Sequence, residues 1–487
     1  MIKEKTSNYV LTLQLNTEIY QESILDKRFN ISRQIYNACL GEMLKRYNHM
    51  RDSKEYQKIS KMTRGKDRNK QFNNLNKNYN INEYSLHNFV KPMCKHFKNN
   101  IDTMTGQKLA TRAYSAFEKL MFHTAKRVNF IKYDELKSVE GKWNKSGIKY
   151  NVEINQLIWN GLKVNAIIKT NDFYAQKSIQ DKIKYCRIKR EMIKGKYHYY
   201  VQLILEGIPP TKVTKQGEVK GVCGFGNVGI DIGTQTIGIA SRYDVRLLEL
   251  CPEINNMDRQ IKLLQRKMDR SRRATNPNKF NENGTIIKGN RDKWIQNNHY
   301  IIIKNIRKEL FRKQSEIRKQ SHNILANELL NLGNKFYVET MSYKGLQKRS
   351  KNTTINKNGK YNTKKRFGKS LANKAPAMFL TILDNKLKWN NTELYKINTT
   401  KVKASQYNHI TNEYNKKELS ERWNDFGEFK IQRDLYSSFL IMNVNDDLES
   451  INREKCFSEF NNFKEKHDKE INRLLNNNNK RISSMGI

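Results

Sequence analysis

Residues 228–233 read Val228-Gly229-Ile230-Asp231-Ile232-Gly233, a short apolar run that ends in an acid and a glycine. A second apolar run, Ile237-Gly238-Ile239-Ala240, follows four residues later. Short apolar runs separated by a glycine-containing break predict a buried strand, a tight turn and a return strand. We therefore expect an α/β domain to begin near Asn227, with Asp231 at the end of its first strand.

Two more acids stand in comparable positions. Glu339 ends the apolar run Lys335-Phe336-Tyr337-Val338-Glu339, and Asp434 lies at the start of the apolar segment 431–440. An uncompensated carboxylate at the edge of an apolar element costs free energy, which metal coordination offsets. Carboxylate oxygens are ligands that Mg²⁺ prefers, and two such ions about 3.5–4 Å apart can activate water and stabilise the leaving oxygen of a phosphodiester. Asp231, Glu339 and Asp434 are thus the predicted catalytic residues and ligands of Mg²⁺ or Mn²⁺.

Each acid taken alone has a simpler explanation. An Asp-x-Gly sequence after a strand is commonly a turn. Glu339 fits a salt bridge or a helix-capping position, and Asp434 fits a local ion pair with the adjacent Arg433. The ordered set of three acids within one basic chain favours the catalytic interpretation.

The charge balance points to a polyanionic partner. The 487 residues include 92 Lys and Arg against 48 Asp and Glu, a net charge of +44. Such like charge repels itself unless a polyanion neutralises it, and nucleic acid is the usual partner. No apolar run approaches the ~18 residues of a membrane span, and residues 1–5 do not resemble a signal peptide, so no membrane partner is expected. None of the six cysteines falls at CxxC spacing, which favours a reducing cytoplasmic setting.

Two basic helices are predicted after Asp231. In the first, Ile261, Leu264 and Met268 line one side. In the second, apolar residues repeat every seven positions from Ile303 to Ile324, which predicts paired helices. Lys and Arg on such helices contact phosphate without reading bases. The predicted nucleic-acid-binding residues are Lys262, Arg266, Lys267, Arg270, Arg272, Arg273, Lys348, Arg349 and Arg433.

The three acidic motifs resemble those of a known family. Gly229-Ile230-Asp231-Ile232-Gly233-Thr234, Phe336-Tyr337-Val338-Glu339-Thr340 and Gln432-Arg433-Asp434-Leu435 resemble the three RuvC motifs of TnpB-type (OrfB) proteins. These are transposon-encoded RNA-guided endonucleases related to the compact type V CRISPR effectors. The segments 196–203, 345–349 and 373–377 are similar to the family as well, so the resemblance is closest over residues 180–445.

This resemblance implies an α/β nuclease domain with an RNase H-like (RuvC) fold. The implied domains are a wedge β-barrel (1–29 and 128–222), an inserted helical recognition lobe (30–127), a RuvC-like nuclease domain (223–446) with a basic helical insertion, and a helical tail (447–487) with a disordered end. It also implies a guide RNA encoded near the protein's own gene, a double-stranded DNA target chosen by guide pairing, and cleavage at a single RuvC site. A prokaryotic, nucleoid-associated location follows from that role.

The sequence departs from the family between Glu339 and Asp434. Many relatives carry a four-cysteine zinc ribbon there, but this interval contains no cysteine. We expect no zinc site, and we expect packing by Tyr407 and Trp423 to replace it. Relatives often carry Asn shortly after the final Asp, where this chain has Tyr436.

Other functions remain open at the level of sequence. A nuclease-inactive RNA-guided repressor would share the fold and partners but usually lacks acids that are present here. A DNA transposase also uses three carboxylates. A sugar kinase or actin-like ATPase shares the Asp231-Ile232-Gly233-Thr234 turn, but the chain has no second Gly-rich phosphate turn. A purely basic binder would not need acids at strand ends. The oligomeric state is not determined by the sequence.

Overall fold

The computed structural model describes residues 7–213, 219–356, 359–364, 367–418, 421–476 and 483–487. The chain divides into two units, the first ending at Pro210 and the second beginning at Thr211. Within the described residues, no helix has both the length and the apolar character needed to cross a membrane.

The first unit combines one sheet with a group of helices. The strands are β1 (Asn8–Asn16), β2 (Ser138–Glu140), β3 (Lys149–Asn151), β4 (Gln156–Trp159), β5 (Leu162–Ile167), β6 (Ile183–Ile193) and β7 (Lys196–Glu206). The helices are α1 (Ile19–Asp52), α2 (Lys54–Ser60), α3 (Lys66–Asn78), α4 (Glu83–His96), α5 (Thr103–Met121) and α6 (Phe173–Ser178).

The sheet of the first unit has the order β2-β6-β7-β1-β5-β4-β3. Strand β1 comes first in the chain, yet it pairs antiparallel with both β7 and β5. Its residues alternate between exposed and buried, as a strand covered on one face requires. Helices α1 to α5 lie between β1 and the rest of the sheet in the sequence.

The second unit contains the three acids. Its strands are β8 (Lys212–Val213), β9 (Val219–Lys220), β10 (Asn227–Ile232), β11 (Thr236–Ser241), β12 (Val245–Glu249), β13 (Lys335–Glu339), β14 (Leu394–Ile397), β15 (Tyr407–Asn408), β16 (Glu413–Tyr414), β17 (Trp423–Asp425) and β18 (Lys430–Gln432). Its helices are α7 (Asn255–Thr275), α8 (Asn298–Leu330), α9 (Tyr343–Leu346), α10 (Gly368–Lys374), α11 (Pro376–Trp389), α12 (Thr399–Val402), α13 (Arg433–Met442) and α14 (Arg453–Asn476).

Five strands of this unit form the central sheet, in the order β12-β11-β10-β13-β14. Strands β10, β11 and β12 are antiparallel neighbours, whereas β10, β13 and β14 run parallel. Helices cover both faces. One face packs apolar residues of α8 and α11 against β10 and β13, and the other packs α13 and α14. The predicted strand–turn–strand start of an α/β domain is confirmed by β10 and β11.

Two expectations are corrected by this unit. The sequence predicted that the seven-residue apolar repeat of α8 continues to Ile324, but Ile324 is exposed. In the second half of the helix, the buried side carries Gln314, His322 and Ala326 instead. A straight helix drifts about 20° per heptad, and the last turns of α8 pack on the sheet instead of on α7.

The end of the chain is not disordered where it is described. Met485 is buried, its carbonyl accepts a hydrogen bond from Gln432 Nε2 at 3.0 Å, and the carbonyl of Gly486 accepts one from Trp423 Nε1 at 2.9 Å. These bonds satisfy donors that would otherwise stay unpaired in the core, which orders the terminus. The expected disorder from residue 476 onward falls in part on 477–482, outside the described residues. Helix α14 packs in the core, where Glu470 Oε1 accepts a bond from the Leu247 amide at 2.8 Å.

The packing of α13 on the sheet depends on glycine. A Cβ at Gly229 would overlap the Ser438 carbonyl oxygen and the Met442 amide nitrogen. A Cβ at Gly238 would lie 2.7 Å from the Asp434 carbonyl oxygen. Helix and strands are therefore in backbone contact at these two points.

We expect Gly229→Ala to destabilise the protein by about 1–3 kcal/mol, the usual cost of overpacking a core. The cost arises because α13 must move away from β10. Thermal unfolding of the variant measures it, with Gly65→Ala as the control, because nothing lies within 4 Å of a Cβ at that glycine. An unfolding midpoint for Gly229→Ala equal to that of Gly65→Ala would contradict the close packing.

Candidate active site

Asp231 and Glu339 lie on neighbouring parallel strands at the same end of the sheet. The register pairs Gly229 with Tyr337 and Ile230 with Val338, so Asp231 and Glu339 are the next residues along each strand. The chain after Glu339 is fixed by Thr340, whose amide donates to Thr399 Oγ1 at 2.9 Å and whose hydroxyl donates to the Ile397 carbonyl at 3.0 Å.

Asp434 reaches this end of the sheet through α13. Asp231 pairs across the antiparallel ladder with Gly238, the glycine that contacts the Asp434 carbonyl. Gln432 caps the helix, since its Oε1 accepts a hydrogen bond from the Leu435 amide at 2.9 Å. Asp434 stands in the first turn, where the positive end of the helix dipole favours a carboxylate.

The three acids interact electrostatically at Asp231. Burial raises the pKa of Asp231 well above its usual value, and the negative charges of Asp434 and Glu339 raise it further. The Arg433 charge and the Ser437 hydroxyl oppose this rise in pKa. Burial also raises the pKa of Glu339. Carboxylates that repel one another in a partly buried site favour either a proton or a cation.

Asp434 also forms the local ion pair that the sequence left open. Its Oδ1 lies 3.6 Å from Arg433 Nε and 3.8 Å from Arg422 Nη1. These are loose contacts, and they leave the like-charge interaction with Asp231 in place. The ion pair and the acidic site are therefore both present at Asp434.

The donor chemistry suits a divalent cation, although the side chains do not form a closed cage. Across the described residues, no group of three or more His, Cys, Asp or Glu side chains is close enough to enclose a metal ion. Mg²⁺ usually keeps several waters and takes only one or two carboxylates from the protein, so a closed cage is not required. The mutual repulsion at Asp231 is the feature that a bound cation would relieve.

The predicted phosphate-binding residues fall into separate groups. Helix α7 buries Ile261, Met268 and Ser271 on one side. Five predicted residues of this helix are exposed, namely Lys262, Arg266, Lys267, Arg270 and Arg273.

Arg259 is also exposed on α7 and was missed by the sequence analysis. It stands seven residues before Arg266 on the same side of the helix, a spacing that would have identified it. The exposed cations of this side are Arg259, Lys262, Arg266, Arg270 and Arg273, and we call them the α7 basic face.

Other predicted basic residues make contacts within the protein. The Arg272 guanidinium lies 5.0 Å from the ring centre of Trp294 and pairs with Asp269 at 3.0 Å. Arg433 Nη1 donates to the carbonyls of Glu418 and Glu421, at 3.2 and 3.0 Å. Arg433 therefore supports the local fold and Asp434. Lys348 and Arg349 are exposed, just after α9.

Aromatic packing occupies the interval where relatives carry zinc. Tyr407 is buried and packs on Tyr414 with ring centres 4.9 Å apart. His409 is buried and packs on Phe460 at 4.7 Å. Trp423 lies edge-on to His467 at 6.3 Å. Tyr407 and Trp423 thus contribute packing, as the sequence predicted.

The second unit is thus a mixed α/β domain with three acids at one end of its sheet. Across 89% of its length, the chain is similar to a protein in a cryo-EM structure of a Cas12f1–sgRNA–target DNA complex. The match covers 98% of that protein, with 10% identity and a TM-score of 0.40. A CRISPR-Cas12f ternary complex matches with 11% identity and a TM-score of 0.26, over 87% of this chain and 82% of the other. No family model and no curated protein matches the sequence.

We expect Asp231→Asn to stabilise the metal-free protein. Because the folded state raises the pKa of Asp231, ionisation of this group costs stability, and the cost grows as pH rises above the unfolded pKa of about 3.9. The amide cannot ionise, so the variant should gain about 0.5–2 kcal/mol at pH 8 and less at pH 5.

Thermal unfolding in EDTA at the two pH values measures this gain. Asp425→Asn is the control, because its neighbours lower the pKa of that exposed carboxyl. A gain for Asp231→Asn that does not increase with pH would contradict the charge repulsion.

Proposed function

We propose that this protein is a TnpB-type RNA-guided DNA endonuclease with a single metal-dependent site. The observation that carries the proposal is the interaction of Asp231 with both Asp434 and Glu339, three acids distant in the sequence. Asp231, Glu339 and Asp434 would hold Mg²⁺ or Mn²⁺. When bound, the ion lowers the pKa of water and stabilises the leaving oxygen of a phosphodiester.

The sheet order supports an RNase H-like, RuvC-type assignment for the second unit. Three antiparallel strands followed by two parallel ones, β12-β11-β10-β13-β14, bring two acids to one sheet end, and α13 adds the third. Residues next to the acids position them before any reaction takes place. Thr340 and Gln432 fix the backbone beside two of the acids, and Arg433 limits the charge at Asp434.

The first unit supports the proposed nucleic-acid-holding domains. We assign its seven-stranded sheet to the wedge domain, and α1 to α5 to the helical recognition lobe. The wedge part at the N-terminus is shorter than the resemblance implied, since α1 already begins at Ile19. The proposed partners are a guide RNA encoded near the gene and a double-stranded DNA target, within a prokaryotic cytoplasm. A net charge of +44 suits both polyanions.

We expect Asp231→Ala, Glu339→Ala and Asp434→Ala each to abolish DNA cleavage. Each substitution removes one ligand of the metal ion. Nucleic-acid binding should be retained, because it depends on the basic residues. The measurement is cleavage of a plasmid that carries the guide-matched sequence, together with sequencing of the RNA that co-purifies. Glu449→Ala serves as the control, because Glu449 lies in the same unit and pairs with Lys401 outside the acid trio.

Cutting at the wild-type rate by any one variant would remove that acid from the site. If the wild-type chain carries a structured RNA from beside its gene and binds DNA but does not cut it, the nuclease-inactive repressor is the better description. If it carries no RNA and joins DNA ends, it is a transposase.

We expect the α7 basic face to bind phosphate without selecting sequence. Arg266→Glu, Arg270→Glu and Arg273→Glu should each weaken binding of matched and unmatched DNA alike, and each should lower the salt slope by about one. A gel-shift series between 50 and 200 mM salt, on the order of the range where such contacts weaken, measures the slope. Lys469→Glu on α14 is the exposed control. Unchanged salt slopes for the α7 variants would refute the assignment.

A further inference from the structure

Two hydroxyl groups next to the acids, those of Tyr343 and Ser437, are buried. Tyr343 Oη and Ser437 Oγ are inaccessible to solvent, and neither has a hydrogen-bond partner of standard geometry among the described residues. A buried hydroxyl without a partner costs about 1–3 kcal/mol, so its retention calls for an explanation. Neither residue belongs to the motifs identified in the sequence.

Ser437 faces Asp231 because of its place on α13. It follows Asp434 by three residues, which puts both on one side of the helix, and it is almost completely buried. The next residue, Ser438, contacts Gly229 through its carbonyl, so this turn of the helix lies directly on β10. The Ser437 hydroxyl is close enough to lower the pKa of Asp231 by hydrogen bonding, although their geometry is looser than a standard bond.

Tyr343 approaches from a different element. It begins α9, four residues after Glu339, and the Ser342 hydroxyl caps that short helix by accepting a bond from the Gly345 amide at 3.2 Å. Burial raises the pKa of Tyr343, and the charge of Asp231 raises it further. The phenol therefore stays protonated at neutral pH and can only be a donor to a carboxylate.

We propose that Ser437 and Tyr343 are positioning residues whose hydroxyls hold the Asp231 carboxylate for cation binding. The inference deepens the proposed function and rests on it. Hydrogen bonds at such sites are often long in the unbound protein and shorten when the site is filled. Groups that orient a metal ligand commonly change metal affinity about 10–100-fold when they are removed.

The proposal has a direct physical consequence. The Asp231 carboxylate interacts with two like charges, those of Asp434 and Glu339. The buried hydroxyls of Ser437 and Tyr343 can donate to this carboxylate and hold it in one orientation. Removal of a donor should weaken cation binding while it leaves the fold and RNA binding unchanged.

The test uses the full-length protein with its RNA, titrated with Mn²⁺ alone and followed by electron paramagnetic resonance. Ser437→Ala and Tyr343→Phe should each weaken Mn²⁺ binding about tenfold or more, and Ser437→Thr, which keeps the hydroxyl, should restore it. The Mn²⁺ concentration for half-maximal DNA cleavage should rise by the same factor, with a smaller change in rate at saturating Mn²⁺.

Matched controls separate positioning from packing. Ser438→Ala removes a hydroxyl that, among the described residues, bonds only the Leu435 carbonyl of α13, at 2.8 Å. Tyr395→Phe removes a hydroxyl from β14. Both should bind Mn²⁺ as the wild type does. Equal Mn²⁺ affinity for Ser437→Ala, Tyr343→Phe and these controls would overturn the inference.

The same measurements distinguish a failure of the proposed nuclease function from a failure of the positioning role. If the wild-type protein binds Mn²⁺ and the two variants bind it more weakly, but none of them cuts DNA, the positioning role stands without the nuclease. If the wild type cuts DNA and both variants match it at every Mn²⁺ concentration, the nuclease stands without the positioning role.

Discussion

The structure of the candidate site depends on backbone contact between α13 and the central sheet. Gly229 and Gly238 offer no side chain on the face that α13 covers, so the helix lies directly on β10 and β11. This contact brings Asp434 to Asp231 across some 200 residues of chain. A methyl group at either glycine would move the helix, and the position of Asp434 relative to Asp231 would change with it.

Close approach of like charges then sets the chemistry. Asp231 is partly buried and interacts with Asp434 and Glu339, which raises its pKa and destabilises the unliganded fold. Arg433 and Arg422 lie at the edge of the cluster and offset part of that cost. Either a proton or a cation would relieve the remaining repulsion among these carboxylates.

The basic helices place positive charge on the same unit that holds the acids. Helix α7 is amphipathic: apolar residues such as Ile261 and Met268 are buried on one side, and the α7 basic face is exposed on the other. Because these cations lie opposite the packing side, they do not disturb the core. Arg273 differs from the others, since it pairs with Asp269 at 2.8 Å and donates to the Gly284 carbonyl at 2.8 Å. Net charge overstates the number of cations that are free to bind phosphate, since Arg272, Arg273 and Arg433 all make contacts within the protein.

The sequence by itself determined the strands and helices that carry the acids, because apolar periodicity and glycine breaks are local signals. Strands β10 and β11 were predictable in this way, and so were the apolar segments that carry Glu339 and Asp434. Only the tertiary structure decided that these acids interact, that Arg433 turns inward, that residues 485–487 are ordered, and that Tyr343 and Ser437 face Asp231. Those facts arise from contacts between segments far apart in the chain, and no local pattern encodes the distance between two side chains that the fold brings together.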